Sequence, residues 1–230
     1  MSSFKFHYFD IIDSTQKYAI RNNTLAMNAI IAGEQTQGVG KPGSTWHSPY
    51  GNLYSTYVIP DNNMPNHQII QSATVALIQT LHMFDCKDSK IKWLNDIVLN
   101  GKKIAGVICD RTKDRLLIGM GLNLKVGSAE CTSASIFDET GLEIDPKTIA
   151  EAYGNNLLQY LDLDYLTIRT LFQANLLNLN NPVLFEHNGI QTQGIIRGIS
   201  EAGELILMVD DQEIRTINTK IVLTLAARYV

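Results

Sequence analysis

Between Lys92 and Gly106 the chain reads Lys-Trp-Leu-Asn-Asp-Ile-Val-Leu-Asn-Gly-Lys-Lys-Ile-Ala-Gly, and Asn100-Gly101 sits at its centre. Asn-Gly flanked by alternating apolar residues is the strongest short-range signal for a β-hairpin, because a type I′ turn needs φ > 0 at both central residues. A two-residue loop pairs Leu99 with Lys102, Val98 with Lys103 and Asp96 with Ala105. Cross-strand partners share a face, so Asp96 and Lys103 point to one side, roughly 7–8 Å apart on the diagonal. Lys102 points to the other, with Ile97, Leu99 and Ile104. A lysine and an aspartate so placed, flanked by Asn95 and Gly106, suit the grip of a phosphate beside an incoming nucleophile. The same pattern alone also fits a surface hairpin whose charges serve solubility.

The 230 residues fit one large domain, or a larger and a smaller one. With 45% hydrophobic and 18% charged residues, a packed core is expected rather than disorder. Net charge is −4 without a basic block, which argues against nucleic acid as a main partner. Cys86, Cys109 and Cys131 are odd in number and lack metal-ligand spacing, so they read as thiols of a reducing compartment. No apolar run has the length of a membrane span or the form of a signal peptide, and a soluble cytoplasmic protein is the expectation.

Strands are expected at 4–9, 27–33, 52–59 and 114–123, and helices from Ser14 to about Asn22 and over 67–84, 147–161 and 165–178. From about 182 the texture changes to short strands at 193–199, 203–209, 212–217 and 220–224, the spacing of a small antiparallel barrel. Helices and strands do not alternate regularly, so the class is α+β: a mixed β-sheet flanked by helices over 1–180, then a small β-barrel over 181–230.

Residues 34–51 form a long polar segment with four glycines and two prolines. Gly38-Val39-Gly40-Lys41-Pro42-Gly43 formally matches the dinucleotide fingerprint, yet no helical period follows the third glycine, and no Gly-Lys-Ser/Thr makes it a Walker loop. A flexible loop whose N–H groups wrap an anion fits better, with Trp46 as an aromatic wall. Gly119-Met120-Gly121-Leu122-Asn123 closes a strand with glycines that admit close approach, and Asn123 suits a base edge. Ser14-Thr15-Gln16 looks like an ordinary N-cap.

Taken in order, these pieces resemble the biotin–protein ligases. That family carries a Ser-Thr-Asn helix start, then a Gln followed by Gly-Arg-Gly-Arg-x-Gly-Arg-x-Trp-x-Ser-Pro-x-Gly. Lys-Trp-Pro-Asn-Asp, Lys-x-x-Gly and Gly-x-Gly-x-Asn come next. This chain has Ser14-Thr15-Gln16, Gln35, Gly38 to Gly51, Lys92 to Asp96, Lys103 to Gly106 and Gly119 to Asn123, and Thr132 to Ile136 stands where the family has Ala-Thr-Ser-Leu. The resemblance spans nearly the whole chain, starts directly at the catalytic unit, and implies an SH3-like barrel at the C-terminus.

It implies an adenylate-forming ligase. Biotin and ATP, with Mg²⁺, give biotinyl-5′-AMP and pyrophosphate, and the biotinyl group passes to a lysine of a biotin carboxyl carrier protein domain. Lys103 would bridge the biotin carboxylate and the α-phosphate, and Asp96 would position or deprotonate the acceptor lysine or hold metal. Ser14, Thr15, Gln16 and Gln35 would hydrogen-bond the ureido ring, with Gly38, Val39, Gly40, Lys41 and Gly106 completing the biotin site. Lys41, Trp46, Lys92, Asn95, Asp96 and Asn123 would hold ATP and the adenylate. The 38–43 loop would close and exclude water. Val39, Lys41 and Ser44 replace the family's three loop arginines, Gln16 replaces Asn and Leu94 replaces Pro. Losing charge-assisted hydrogen bonds worth about 1.5–3 kcal/mol each predicts looser retention of the intermediate. Lipoate ligase or octanoyl transferase activity is the nearest alternative, and a non-catalytic biotin sensor the other. A homodimer through sheet edges is compatible with the sequence.

Overall fold

The computed structural model describes residues 3–125, 133–187, 189–217 and 219–224; Cys131 and Thr132 lie outside them. A seven-stranded sheet runs in the order β1-β2-β3-β7-β6-β5-β4. Its strands are β1 (Lys5–Ile12), β2 (Asn28–Gln35), β3 (Leu53–Pro60), β4 (Lys90–Lys92), β5 (Asp96–Leu99), β6 (Lys102–Arg111) and β7 (Arg115–Leu122). Only β1 and β2 are parallel, Ile12 standing beside Gln35; the other neighbours are antiparallel.

Helix α1 (Thr15–Arg21) supplies the β1–β2 crossover and covers one face, where Ala19, Ile30, Val58 and Leu117 form a small cluster. On the other face lie α2 (Asn66–Met83), α4 (Pro146–Leu161) and α5 (Tyr165–Ala174). With both faces covered, central β3 is buried from Leu53 to Ile59, as a nearly continuous apolar run should be. Tyr57 packs edge-on to Tyr153 at 5.1 Å and donates to Ala150 O at 2.7 Å, so its one polar atom is satisfied inside the core.

The expected elements are present, with shifted ends. Helix α5 stops at Ala174, because the Asn175 side chain donates to Leu171 O and its N–H caps the last turn. Asn100 and Gly101 take φ of 50° and 78°, the type I′ turn that the dipeptide predicts. A β-bulge then departs from the ideal register: Ile97 pairs with Ala105, so Ile104 is the extra residue and Asp96 faces Gly106 instead of Ala105. Lys102 leaves the sheet and pairs with Glu139 at 2.9 Å on the short helix α3 (Ile136–Thr140).

Past residue 181 a five-stranded antiparallel sheet has the order β11-β10-β9-β8-β12. Its strands are β8 (Pro182–His187), β9 (Ile190–Ile199), β10 (Leu205–Val209), β11 (Gln212–Thr216) and β12 (Thr219–Thr224). Among the described residues, no helix is long and apolar enough to cross a membrane.

Candidate active site

A cavity of about 420 Å³ opens on the α1 face of the large sheet. Its floor is made by missing side chains. Gly106 and Gly121 are register partners on β6 and β7, and the Trp46 ring lies over both. A Cβ on Gly121 would stand 2.5 Å from Trp46 Cε2, and one on Gly106 3.0 Å from Cζ3. A Cβ on Gly119 would come 2.8 Å from Gln16 Oε1. The Gly-x-Gly and Lys-x-x-Gly spacings thus make room for one aromatic ring and one amide.

One end of the cavity is a polar wall. The Ser14 side chain caps α1, which sets Thr15 and Gln16 at the cavity edge. The parallel β1–β2 pair delivers Gln35 beside them, and Gln35 Oε1 accepts from Thr15 N at 2.8 Å while its Nε2 donates to Ser48 Oγ at 3.0 Å. Gln16 Nε2 donates to Asp110 Oδ2 at 2.9 Å and Leu117 O at 3.0 Å, and its Oε1 is 2.8 Å from Thr56 Oγ1. Both amides are therefore fixed in direction before any ligand arrives.

The other end is charged. Lys103 Nζ lies 2.8 Å from Asp96 Oδ1 and 4.8 Å from the Trp46 ring centroid, so the ammonium is held by an ion pair and an aromatic face together. Asp96 is the only carboxylate among the described lining residues, against the ammonium groups of Lys41, Lys103 and, from the C-terminal sheet, Lys220. The cavity is cationic inside an acidic chain. Lys41 is exposed as a residue, yet partial desolvation in the cavity lowers its pKa; Asp96 opposes the shift, and Lys103 and Lys92 add to it. Two polar atoms that face this region, Trp46 Nε1 and Asn95 Oδ1, are buried without a hydrogen-bond partner. The Asn95 amide nitrogen donates to Val107 O. Buried orphans of this kind mark places where a ligand or water completes the bonding.

Residues 38–46 differ from the flexible loop expected. Val39 bridges Thr45, Trp46 N donates to Gly38 O at 3.1 Å and Gly40 N to Ser44 O at 3.1 Å, so the segment is a small hairpin. Pro42 and Gly43 (φ 82°) occupy the middle of a type II turn, and Ser44 bonds Lys41 O through both its N–H and its hydroxyl. The N–H groups of Gly40, Ser44 and Trp46 are thereby engaged internally rather than left for an anion.

Of the residues singled out in the sequence, Ser14, Thr15, Gln16, Gln35, Val39, Gly40, Lys41, Trp46, Asn95, Asp96, Lys103 and Gly106 all line the cavity. Gly38, Lys92 and Asn123 stand outside it. A Cβ on Gly38 would meet Trp46 O at 2.4 Å, so its part is to let the hairpin close. Lys92 is the β4 register partner of Asp96 on β5. Asn123 donates to Ala134 O at 3.0 Å and Ser133 Oγ at 3.3 Å, tying down the segment that bridges Lys103. Sequence reasoning missed Thr56, Ile108 and Lys220, which reach the cavity through strand pairing and carry no local signal. Gly119 and Gly121 were visible as a glycine pair, but not as the floor.

The chain is similar in sequence and in fold to known proteins. The Biotin/lipoate A/B protein ligase family model matches residues 8–127, more than half of the chain. A biotin–acetyl-CoA-carboxylase ligase of Paracoccus denitrificans is 28% identical over 202 residues, covering 77% of this chain and 82% of that protein. The bifunctional ligase/repressor BirA of Escherichia coli K12 is 28% identical over 218 residues, covering 87% of this chain and 68% of its own length. In fold, the chain is similar to the Aquifex aeolicus biotin protein ligase solved in complex with biotin and ATP, at a TM-score of 0.84 and 21% identity over 95% of this chain and 99% of that one.

Proposed function

The chain belongs to the Biotin/lipoate A/B protein ligase family, and on that footing we propose that it is a biotin–protein ligase. It activates biotin with ATP to biotinyl-5′-AMP and transfers the biotinyl group to a lysine of a biotin carboxyl carrier protein domain. The observation that carries the reading is the Lys103–Asp96 pair at the cationic end of a cavity whose opposite end is polar. An ammonium held by Asp96 and Trp46 is preorganised for charge that grows between a carboxylate and an α-phosphate, and such a donor supplies about 3–4 kcal/mol. After adenylation Asp96 is the group positioned to take the proton of the acceptor amine. Ser14, Thr15, Gln16 and Gln35 receive the ureido ring, with Gly38, Val39, Gly40, Lys41 and Gly106 shaping that end. Trp46 packs beside the adenylate, Asn95 offers its free Oδ1, and Lys41 meets phosphate oxygens. Lys92 and Asn123 act one layer out, through Asp96 and through the 133–134 segment.

Asp96 as a lone lining carboxylate fits Mg²⁺, which is commonly bound by one or two carboxylates together with substrate phosphates. Asp96 would hold the ion, and the ion would neutralise charge on the triphosphate. The C-terminal sheet, taken as an SH3-like barrel over 181–230 beside a catalytic unit over 1–180, contributes Lys220. Cytoplasmic location agrees with the reduced-cysteine reading. The acidic balance supports a carrier protein rather than nucleic acid as macromolecular partner, and the open edge of β1, with Ile11 outward, supports a homodimer.

The polar wall favours a ureido ring over the acyl chain of lipoate or octanoate. The test is to incubate the purified chain with MgATP, a carrier domain and each of biotin, lipoate and octanoate, reading pyrophosphate and carrier mass. Only biotin is expected to give both products, with Lys103→Ala slower by about 10²–10³-fold. Biotin bound without pyrophosphate would identify a sensor instead. A Lys103→Ala chain as fast as the parent would remove the central assignment.

A further inference from the structure

The biotin-ligase reading puts an acyl adenylate in a cavity lined by the protein's own amines. Those amines are not equivalent. Lys103 is held by Asp96 at 2.8 Å and by the Trp46 face. Lys41 has no ion pair or hydrogen bond from its ammonium among the described residues, yet its side chain lines the same cavity. Its backbone is fixed: Lys41 O accepts from Ser44 N at 2.8 Å and Ser44 Oγ at 2.7 Å, at the corner of the type II turn. A nucleophile carried on a fixed turn and lining the cavity that holds the adenylate has a high effective concentration there.

Resting on that reading, we propose that Lys41 is a self-biotinylation site, acylated in cis by the adenylate formed in its own cavity when no carrier domain is present. The neutral Nζ attacks the acyl carbon of biotinyl-5′-AMP. The N–C amide bond forms and the C–O bond to the phosphate breaks. AMP leaves with that electron pair, and the amine proton passes to Asp96 or to water. Lowering of the Lys41 pKa by desolvation enlarges the neutral fraction that such an attack needs. An arginine in that place does not react this way, because its guanidinium stays protonated. The amide also removes one of the three lining cations, so a modified chain holds phosphate less well and the reaction limits itself.

The full chain is incubated without carrier in two arms, one with biotin and MgATP and one with synthetic biotinyl-5′-AMP. Intact mass and peptide mapping are then read. One biotinyl group on Lys41 is expected in both arms, absent in Lys41→Arg, with a labelled fraction unchanged by tenfold dilution. Label on Lys92, Lys103 or Lys220 with Lys41 bare overturns the inference, as does labelling that falls with dilution. Lys41 bare in both arms while a carrier domain is biotinylated in parallel sinks the inference and leaves the ligase reading intact. Lys41 labelled by synthetic adenylate alone overturns self-biotinylation from biotin and ATP, and counts against ATP-dependent activation by this chain.

Discussion

Gly121→Ala tests the floor of the cavity. The new Cβ would stand 2.5 Å from Trp46 Cε2, 2.6 Å from Nε1 and 2.9 Å from Cζ2. Carbon atoms in ordinary contact sit about 3.5–4 Å apart, so the ring must lift by about 1 Å. β7 is central and held by β3 and β6, whereas Trp46 rides on the 38–46 hairpin, so the ring yields and the sheet does not. Overpacking of this kind costs about 1–3 kcal/mol. Charged to the adenylate-side wall, that range corresponds to an about 5- to 150-fold rise in the KM for ATP. Gly106→Ala brings a Cβ only to 3.0 Å from the same ring, and an about two- to fivefold rise is expected. The assay is biotin-dependent exchange of pyrophosphate into ATP across an ATP titration. Emission is a second readout, since the chain has two tryptophans and Trp93 is buried. Because the strain falls on a surface hairpin, the melting temperature should drop by no more than about 4 °C. A Gly121→Ala chain with an ATP KM within twofold of the parent, or a Gly106→Ala chain more damaged than it, would refute the stacking argument.

The other glycine separates the two ends of the cavity. Gly119→Ala directs a Cβ at Gln16 Oε1 and Ile108 Cγ1, each 2.8 Å away, and Gln16 is too fully bonded to retreat, so the KM for biotin should rise at least tenfold with less change for ATP; equal effects on both substrates would contradict the assignment. Ser135 caps α3 through a reciprocal box with Asp138, and Ser135→Ala should lose about 1 kcal/mol, seen as a fall of about 2–4 °C in melting temperature. Acid should weaken the fold through Asp145 and Asp164, whose pKa values are held below the ordinary carboxylate value by bonds from Thr148 and Thr167. A depressed folded-state pKa contributes stability that is complete above the unfolded value and disappears as pH falls through the folded one. The double variant Asp145→Asn, Asp164→Asn should therefore show a flatter decline of melting temperature below about pH 4, and an unchanged acid limb would dismiss these caps as its source.

Local signals were enough for much of this fold. Asn100-Gly101 dictated its turn, Ser14 its cap, and the apolar spacing in 67–84 its helix, because each depends on residues a few positions apart. The bulge at Ile104 was not legible, since nothing in the Asn-Gly turn pattern sets it apart from an ideal two-residue hairpin. Strand β8 went unnoticed because Pro182 opens it, and α3 because five residues carry too little period, although Ser135-x-x-Asp138 was there as a cap signal. The glycine density of 38–43 read as a flexible loop; cross-bonds from Ser44 and Trp46 are what stiffen it. In the site, the charged pair and the polar cap were readable from spacing. Lys220 was not, because its place depends on how a second sheet lies against the first.

The lone parallel pair limits how such a chain can change. Ile12 and Gln35 leave neighbouring strands at the same edge, and the bite between Thr15 and Gln35 is set by where those strands stop. Descendants of such a chain can lengthen the link after α1 freely. They cannot gain or lose a single residue inside β2, because that would swing Gln35 through to the opposite side of the sheet, nor inside β1, because that would displace the start of α1 and Thr15 with it. Indels inside either strand should therefore be purged while those between α1 and β2 accumulate.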